Sequence, residues 1–243
     1  MEHHENTHFW LPLSIDCLSH PLLTLEEESF HRMIRVWRFR VGEQINGCDG
    51  NGHTRLYELA RIGKNQCEIK AIEEIKSHPL PRKIFLFQSL LTAKSMDLVI
   101  EKGSELGVTD FFPLLSERCT ARLNNRATSK IMRWQTIAEQ SAICTERAWF
   151  PKIHPPLKFQ ELQQFPTLPI LFCSSDPLPQ GELSKFRGKE IGLCIGPEGG
   201  FSPREAELAI QFGLIPFTLG EHKLRAETAA IAILGILTHL PRS

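Results

Sequence analysis

The stretch Ile195-Gly196-Pro197-Glu198-Gly199-Gly200-Phe201-Ser202-Pro203 constrains this chain more than any other. Before it lies the apolar run Ile191–Ile195, whose length and branched side chains fit a buried strand. After it, Arg204–Ile210 carries apolar residues at helical spacing. Ser202 is placed to cap that helix, Pro203 to occupy its first position, and Glu205 to complete a capping box. The turn Gly196–Gly200 therefore lies beyond the carboxyl end of a strand, where open α/β sheets bind ligands. Glycine there lets the main chain approach a ligand closely. The turn lacks the Gly-Lys-Ser/Thr of a P-loop and the G-x-G-x-x-G of a dinucleotide fold, so neither phosphate-binding signature applies. A plain strand-to-helix turn satisfies the local sequence equally well.

The second part of the chain repeats this rhythm. Strands are expected at 84–91, 108–115, 169–173, 189–195 and 215–219, with helices at 95–106, 128–147, 203–212 and 226–239. Such alternation predicts an α/β fold with a parallel sheet covered by helices on both faces. The first part differs. Glu26–Phe39 has a helical pattern with Thr24 as candidate cap, followed by the strand-like pieces Glu43–Ile45, Arg55–Ala60 and Gln66–Ile72. Asn46-Gly47 and Asp49-Gly50 lie between them, dipeptides that tolerate positive φ and mark tight hairpins. Short strands at this spacing suggest a small β-barrel. The proline-rich Ser77–Pro81 is the natural linker, which divides the chain into domains 1–76 and 77–243.

A length of 243 residues suffices for one large core or two small ones. The formal net charge is zero, so any affinity for nucleic acid has to come from local patches. The seven cysteines include no C-x-x-C pair and their number is odd, which disfavours a disulfide framework or a zinc site and fits a reducing cytoplasm. Met1–Asn6 is polar, unlike a secretory leader, and the apolar run Ala229–Leu237 is too short to span a bilayer. The expectation is a cytoplasmic protein that needs neither membrane nor metal; the ten histidines show no metal-binding spacing such as H-E-x-x-H.

A second polar segment, Leu219-Gly220-Glu221-His222-Lys223-Leu224-Arg225-Ala226-Glu227-Thr228-Ala229-Ala230, stands where the last helix begins. A cationic Arg225 in the first turn opposes the helix dipole, a choice that fits a nearby anionic group. Taken with Ile195–Ser202, this segment closely resembles the RsmE family, SPOUT-class methyltransferases that act on a uridine of small-subunit ribosomal RNA. Lys102–Val108, Pro113–Arg118, Asp49–Gly52 and the His31–Gly42 region resemble the family's other conserved patterns, so the likeness covers nearly the whole chain.

The resemblance implies a PUA-like β-barrel followed by an α/β domain tied at its C-terminal end in a trefoil knot. It implies S-adenosyl-L-methionine as cofactor, with S-adenosyl-L-homocysteine as product, bound among three loops. On this sequence those are the loop after Phe172 and Cys173; Ile195, Gly196, Pro197, Glu198 and Gly199; and Leu219, Gly220, Leu224, Ala226 and Thr228. The reaction is displacement of the methyl group from sulfonium by ring nitrogen 3 of uracil. Arg225 would stabilise negative charge on the uracil carbonyls, and Glu198 or Glu227 would take the proton or orient the base. For Glu198 a role in capping the turn, and for Glu227 a role as a first-turn acid, explain the residues as well. The family also implies a homodimer. Two departures stand out: Ala142-Ile143-Cys144 precedes Arg147 where relatives have Gln before Ser or Cys, and Cys173-Ser174-Ser175 stands where relatives often carry His.

Basic residues concentrate in two places. Arg32, Arg35, Arg38 and Arg40 flank Trp37 and Phe39, while Arg118, Arg122, Arg126, Lys130 and Arg133 follow one another without an intervening acid. Two such clusters in a neutral chain suit a protein that grips RNA phosphates over part of its surface, with Lys94 and Arg147 as weaker candidates. Solvated helix faces account for any single arginine. Small-subunit ribosomal RNA, naked or in the assembled subunit, is the expected partner. A ribosome assembly factor that binds RNA without turnover is the alternative, and the intact segments 196–200 and 224–230 argue against it. Phe201 and Trp149 are either stacking platforms or buried aromatics.

Overall fold

The computed structural model describes residues 9–79, 81–123, 127–173, 190–220 and 222–239. The chain divides into two compact units, residues 1–81 with 142–150, and residues 82–141 with 151–243. The short segment 142–150 thus joins the first unit although it follows helical residues of the second.

The first unit is built on a six-stranded sheet. Its strands are β1 (Trp10–Pro12), β2 (Leu22–Glu26), β3 (Gln44–Cys48), β4 (His53–Ile62), β5 (Gln66–Ala71) and β6 (Lys76–Ser77), and α1 (Ile15–Ser19) lies between β1 and β2. They run in the order β1-β3-β4-β5-β2, with β6 also on β4; β1 pairs with β3 in parallel and the other pairs are antiparallel. Alternation along β4 turns Tyr57 and Leu59 inward, where they meet Leu18, Met33, Ile45 and Ile69 in an apolar cluster. Asn46-Gly47, expected in a hairpin turn, instead lies within β3 opposite Leu56 and Arg55. Glycine is needed at 47 for packing, since a Cβ would come 2.7 Å from Leu13. Asp49–Gly52 makes the turn, with Gly50 and Gly52 at φ of 72° and 92°.

The helix expected over Glu26–Phe39 is shorter. Strand pairing to Gln66 holds Glu26 in β2, so α2 covers only Glu27–Phe30 and continues as a π-helical turn over His31–Val36. The amide of Phe39 closes it by bonding to the Met33 carbonyl, with Arg38 at φ of 59° where glycine is the usual choice.

The second unit carries the parallel sheet. Its strands are β7 (Lys83–Ser89), β8 (Asp110–Leu115), β9 (Lys152–Ile153), β10 (Leu157–Lys158), β11 (Ile170–Cys173), β12 (Glu190–Ile195) and β13 (Ile215–Phe217). All are parallel, in the order β10-β8-β7-β12-β11-β13, with β9 also on β8. Its helices are α3 (Ala93–Glu105), α4 (Ala127–Cys144), α5 (Pro203–Gln211) and α6 (Ala226–His239). The helix expected as far as Arg147 stops at Cys144, because the amide of Arg147 returns to the Ala142 carbonyl and Glu146 takes a φ of 56°.

Side-chain alternation along β7 sorts the core into two layers. Ile84 and Leu86 join Val99, Ile100, Trp134, Ala230, Ile233 and Leu234 from α3, α4 and α6. Phe87 joins Phe112, Phe172, Phe201, Ala206 and Ala209, the last two from α5. Helices therefore cover both faces, and β12 is buried from Ile191 to Ile195, as a strand inside a parallel sheet requires.

Candidate functional site

Three chain segments leave the parallel sheet at one level. Cys173 at the end of β11 pairs with Ile195 at the end of β12 on one side and with Phe217 at the end of β13 on the other. The Gly196–Gly200 turn and the segment beginning at Leu219 thus start at the same end of the sheet, one on each side of β11. Residues 174–189, including Ser174 and Ser175, lie outside the described residues, as do Glu221 and Arg126.

The glycine-rich turn is held on every side. Gly196 and Pro197 are buried, and a Cβ on Gly196 would stand 3.2 Å from the Phe201 ring. The amide of Gly200 bonds to the Pro197 carbonyl at 2.9 Å, with Gly200 at φ of 69°. The capping box forms as expected: Ser202 Oγ accepts from the Glu205 amide at 3.1 Å, and Glu205 Oε2 accepts from the Ser202 amide at 2.8 Å. Glu205 does more than cap. It is fully buried, and its other oxygen accepts the Glu117 amide at 2.9 Å. Glu198 is exposed and accepts the Thr92 amide at the start of α3, at 3.2 Å. Arg118 Nη1 donates to the Gly199 carbonyl at 3.2 Å. The contacts from Thr92 and Glu117 use backbone amides, which carry no sequence signal.

The second segment is loosely held. Gly220, at φ of 66°, has no atom of the described residues within 4 Å of where a Cβ would point. His222, Lys223, Leu224, Arg225 and Thr228 are exposed, Glu227 is half-buried, and Ala226 and Ala230 are buried. Arg225 is the N-cap of α6 rather than a first-turn residue, since its carbonyl accepts the Ala229 amide at 2.9 Å. Among the described residues no hydrogen bond or ion pair engages the side chains of Arg225 or Glu227. Arg82, just before β7, donates to the Leu237 carbonyl near the end of α6, while Ala226 shares an apolar cluster with Ile195. α6 therefore runs back along the sheet and sets Arg225 at the edge where the glycine-rich turn begins.

The aromatic candidates are packing residues. Phe172 is fully buried and stacks on Phe201, with ring centroids 4.6 Å apart, so only its main chain can reach a ligand. Trp149 fills the space over Gly52 and donates from Nε1 to the Pro79 carbonyl at 3.1 Å. Cys173 is half-buried, and burial pushes its thiol up to about 12, so it is neutral at pH 7 and no nucleophile. Sequence gave no sign of Gln88 and Ser89, which end β7 beside Ile195. Both are buried, and among the described residues the Gln88 carboxamide oxygen and the Ser89 hydroxyl have no hydrogen-bond partner.

The basic residues divide between the units. Arg35 and Arg38 are exposed, and Arg32 is paired with Glu28 at 2.7 Å. Arg147 is half-buried, and loss of solvent lowers its pKa to about 10. It is less exposed than Arg35 and Arg38. Lys94, Arg118 and Arg122 are exposed in the second unit. Among the described residues no group of three His, Cys, Asp or Glu side chains could hold a metal ion, and no helix is long and apolar enough to cross a membrane.

The profile described as the RNA methyltransferase domain matches residues 78–238, and that described as the RNA methyltransferase PUA domain matches residues 25–72. The chain is 32% identical over 180 residues to the ribosomal RNA small subunit methyltransferase E of Mesomycoplasma hyopneumoniae, covering 73% of this chain and 79% of that protein. The structure of the enzyme of that name from Neisseria gonorrhoeae, bound to S-adenosyl methionine, matches with 27% identity and a TM-score of 0.77, over 96% of this chain and 97% of that one. A Legionella pneumophila protein in complex with bound cofactor SAM matches with 27% identity and a TM-score of 0.79, over 94% and 95%. With an α/β domain of this topology, a PUA domain before it and relatives of one name along most of its length, the chain belongs to the ribosomal RNA small subunit methyltransferase E family.

Proposed function

We propose that this protein uses S-adenosylmethionine to methylate ring nitrogen 3 of a uridine in small-subunit ribosomal RNA. The observation that carries the reading is the alignment of three strand ends at Ile195, Cys173 and Phe217, each opening into a segment of the family's cofactor pattern. The residues present fit the cofactor. Main chain at Gly196, Pro197, Gly199, Leu219, Gly220 and Leu224 would line it. Open space at Gly220 and the unpartnered Gln88 oxygen and Ser89 hydroxyl offer room and polar contacts at the same edge. Phe172, Cys173, Ile195, Ala226 and Thr228 complete the wall. The C-terminal segment is proposed to be tied in a trefoil knot, consistent with α6 returning over the sheet from the outer strand β13.

The cofactor supplies a methyl group on sulfonium, already activated for displacement. What the protein must supply is a uracil nitrogen freed of its proton. The unengaged Arg225 guanidinium stabilises the negative charge that then spreads to the uracil carbonyls, as an oxyanion-hole donor does. Glu198 is tied to the Thr92 amide, which leaves Glu227 as the freer carboxylate to accept the proton. Residues 1–76 act as an RNA-binding domain and 77–243 as the methyltransferase domain, with Arg32, Arg35, Arg38, Lys94 and Arg122 meeting RNA phosphates. The protein acts in the cytoplasm, where its ribosomal substrate is assembled, and as a homodimer, so sedimentation should give twice the chain mass.

Calorimetry with S-adenosylmethionine, S-adenosylhomocysteine and ATP tests the cofactor, and incubation with small-subunit RNA followed by nucleoside analysis tests the reaction. Binding of the first two ligands but not ATP, with N3-methyluridine formed, is expected. Absence of cofactor binding, or methylation at another atom, defeats the proposal.

A further inference from the structure

Arg118 belongs by sequence to a run of cations suited to RNA; it is exposed, yet one nitrogen of its guanidinium is engaged by the Gly199 carbonyl. We propose that Arg118 is a positioning residue for the cofactor turn, clamping the loop after β8 onto Gly199, rather than a phosphate contact. The inference rests on the reading that Gly196–Gly200 holds S-adenosylmethionine.

Strands β8 and β12 are not neighbours, because β7 runs between them. Their following loops meet only by crossing over the end of β7, and they meet at two points. Arg118 Nη1 donates to the Gly199 carbonyl at 3.2 Å, across 81 residues of sequence. One step away, the buried carboxylate of Glu205 accepts both the Glu117 amide, at 2.9 Å, and the Ser202 amide, at 2.8 Å. Residues 117–118 are thus fastened on both sides of the exposed end of the turn. Packing agrees that the two segments are adjacent: a Cβ on Gly199 would lie in van der Waals contact with Arg118, 3.4 Å from its Cβ and 3.6 Å from its carbonyl oxygen.

Glu205 holds Ser202, the Thr92 amide holds Glu198, and Gly200 is bonded to Pro197, but none of these engages the Gly199 carbonyl. Arg118 supplies that contact, and it is a charged donor on a carbonyl, among the stronger hydrogen bonds a surface residue can make. Without it the turn has to be ordered when the cofactor arrives, which lowers affinity without changing the chemical step. Arg122, four residues on, is exposed, and among the described residues only its carbonyl is engaged, accepting from Lys130. The two arginines of one sequence run therefore separate by role, Arg118 serving the cofactor and Arg122 facing solvent.

The test compares wild type, Arg118→Ala and Arg118→Lys. S-adenosylmethionine affinity is measured by calorimetry without RNA, affinity for a small-subunit RNA fragment by filter binding without cofactor, and steady-state methylation with each substrate varied. Loss of one such bond predicts S-adenosylmethionine Kd and KM raised about three- to tenfold in Arg118→Ala. The kcat and RNA affinity should stay within about twofold of wild type, the unliganded melting temperature should not change, and Arg118→Lys should recover part of the cofactor affinity. Unchanged cofactor affinity in Arg118→Ala, weakened RNA binding, or a drop in kcat at saturating cofactor each overturns the assignment. If wild type itself fails to bind S-adenosylmethionine, the cofactor reading falls and this one with it. If wild type binds and Arg118→Ala binds equally well, only this inference falls.

Discussion

The two walls of the candidate site are built in opposite ways. The turn Gly196–Gly200 is fastened by Thr92, Arg118, the Ser202–Glu205 capping box and the Phe201 ring, and Glu205 at its base is fully buried. The segment Leu219–Thr228 leaves His222 to Arg225 exposed, and Gly220, in the left-handed region, meets no atom of the described residues. Rigid scaffolds that present free side chains are how binding and catalytic groups are usually carried. The contrast assigns the first wall to shape and the second to chemistry. Substitutions in the first should be read as stability or cofactor affinity, and in the second as rate.

The sharpest break in that division would come from Arg225→Ala. Removing a donor aimed at developing negative charge costs about 10²–10³-fold in kcat by analogy with oxyanion-hole deletions. As nothing among the described residues engages this guanidinium, the melting temperature should stay put, and cofactor affinity should change little. Stopped-flow or steady-state methylation together with a thermal melt checks both halves. Near-normal turnover removes Arg225 from its role, and a large loss of stability would mean that the second wall is structural too.

Glu205→Ala is the matching test of the first wall. It strips the partners from the amides of Glu117 and Ser202, removes an N-terminal capping pair from α5 and opens a small cavity. The buried Ser202 amide left unpaired costs about 1–3 kcal/mol and the weakened cap about 1, so a destabilisation of about 2–4 kcal/mol is expected in denaturant titration. Glu205→Gln keeps one acceptor and should recover part of it. A variant as stable as wild type would show that the turn is held by Phe201 and the main chain alone.

What the sequence made visible was whatever is encoded locally. The capping box at Ser202 and Glu205, the rhythm of strands and helices after residue 82, and the order of the motif segments all rest on spacing, and all are present in the structure. Three things were not legible. Strand pairing overrode helical pattern at Glu26 and turn chemistry at Asn46-Gly47, since a hydrogen-bonded neighbour outweighs a local preference of about 1 kcal/mol. Charge gave no hint that Arg147 is half-buried while Arg35 is exposed. The partners that immobilise the glycine-rich turn are backbone amides of Thr92 and Glu117, more than eighty residues away in sequence, and any residue type except proline could supply them.

Glycine offers the finest discrimination between the walls. Gly196 lies in the rigid wall at ordinary φ, with the Phe201 ring 3.2 Å from where a Cβ would stand; Gly220 lies in the free wall at φ of 66° with nothing nearby. Alanine at 196 has to displace a ring that is itself stacked on Phe172, an overpacking cost of about 1–3 kcal/mol. Alanine at 220 meets no atom and costs only the left-handed backbone, about 1 kcal/mol. Thermal melts should therefore rank Gly196→Ala below Gly220→Ala. Cofactor titration should separate them in another way. At 196 the affinity loss would follow the shift of the turn toward Phe201, whereas at 220 a new methyl group enters the space left open beside Leu219. If Gly220→Ala leaves affinity for S-adenosylmethionine unchanged, that space is not part of the cofactor site, and the second wall contributes only its arginine.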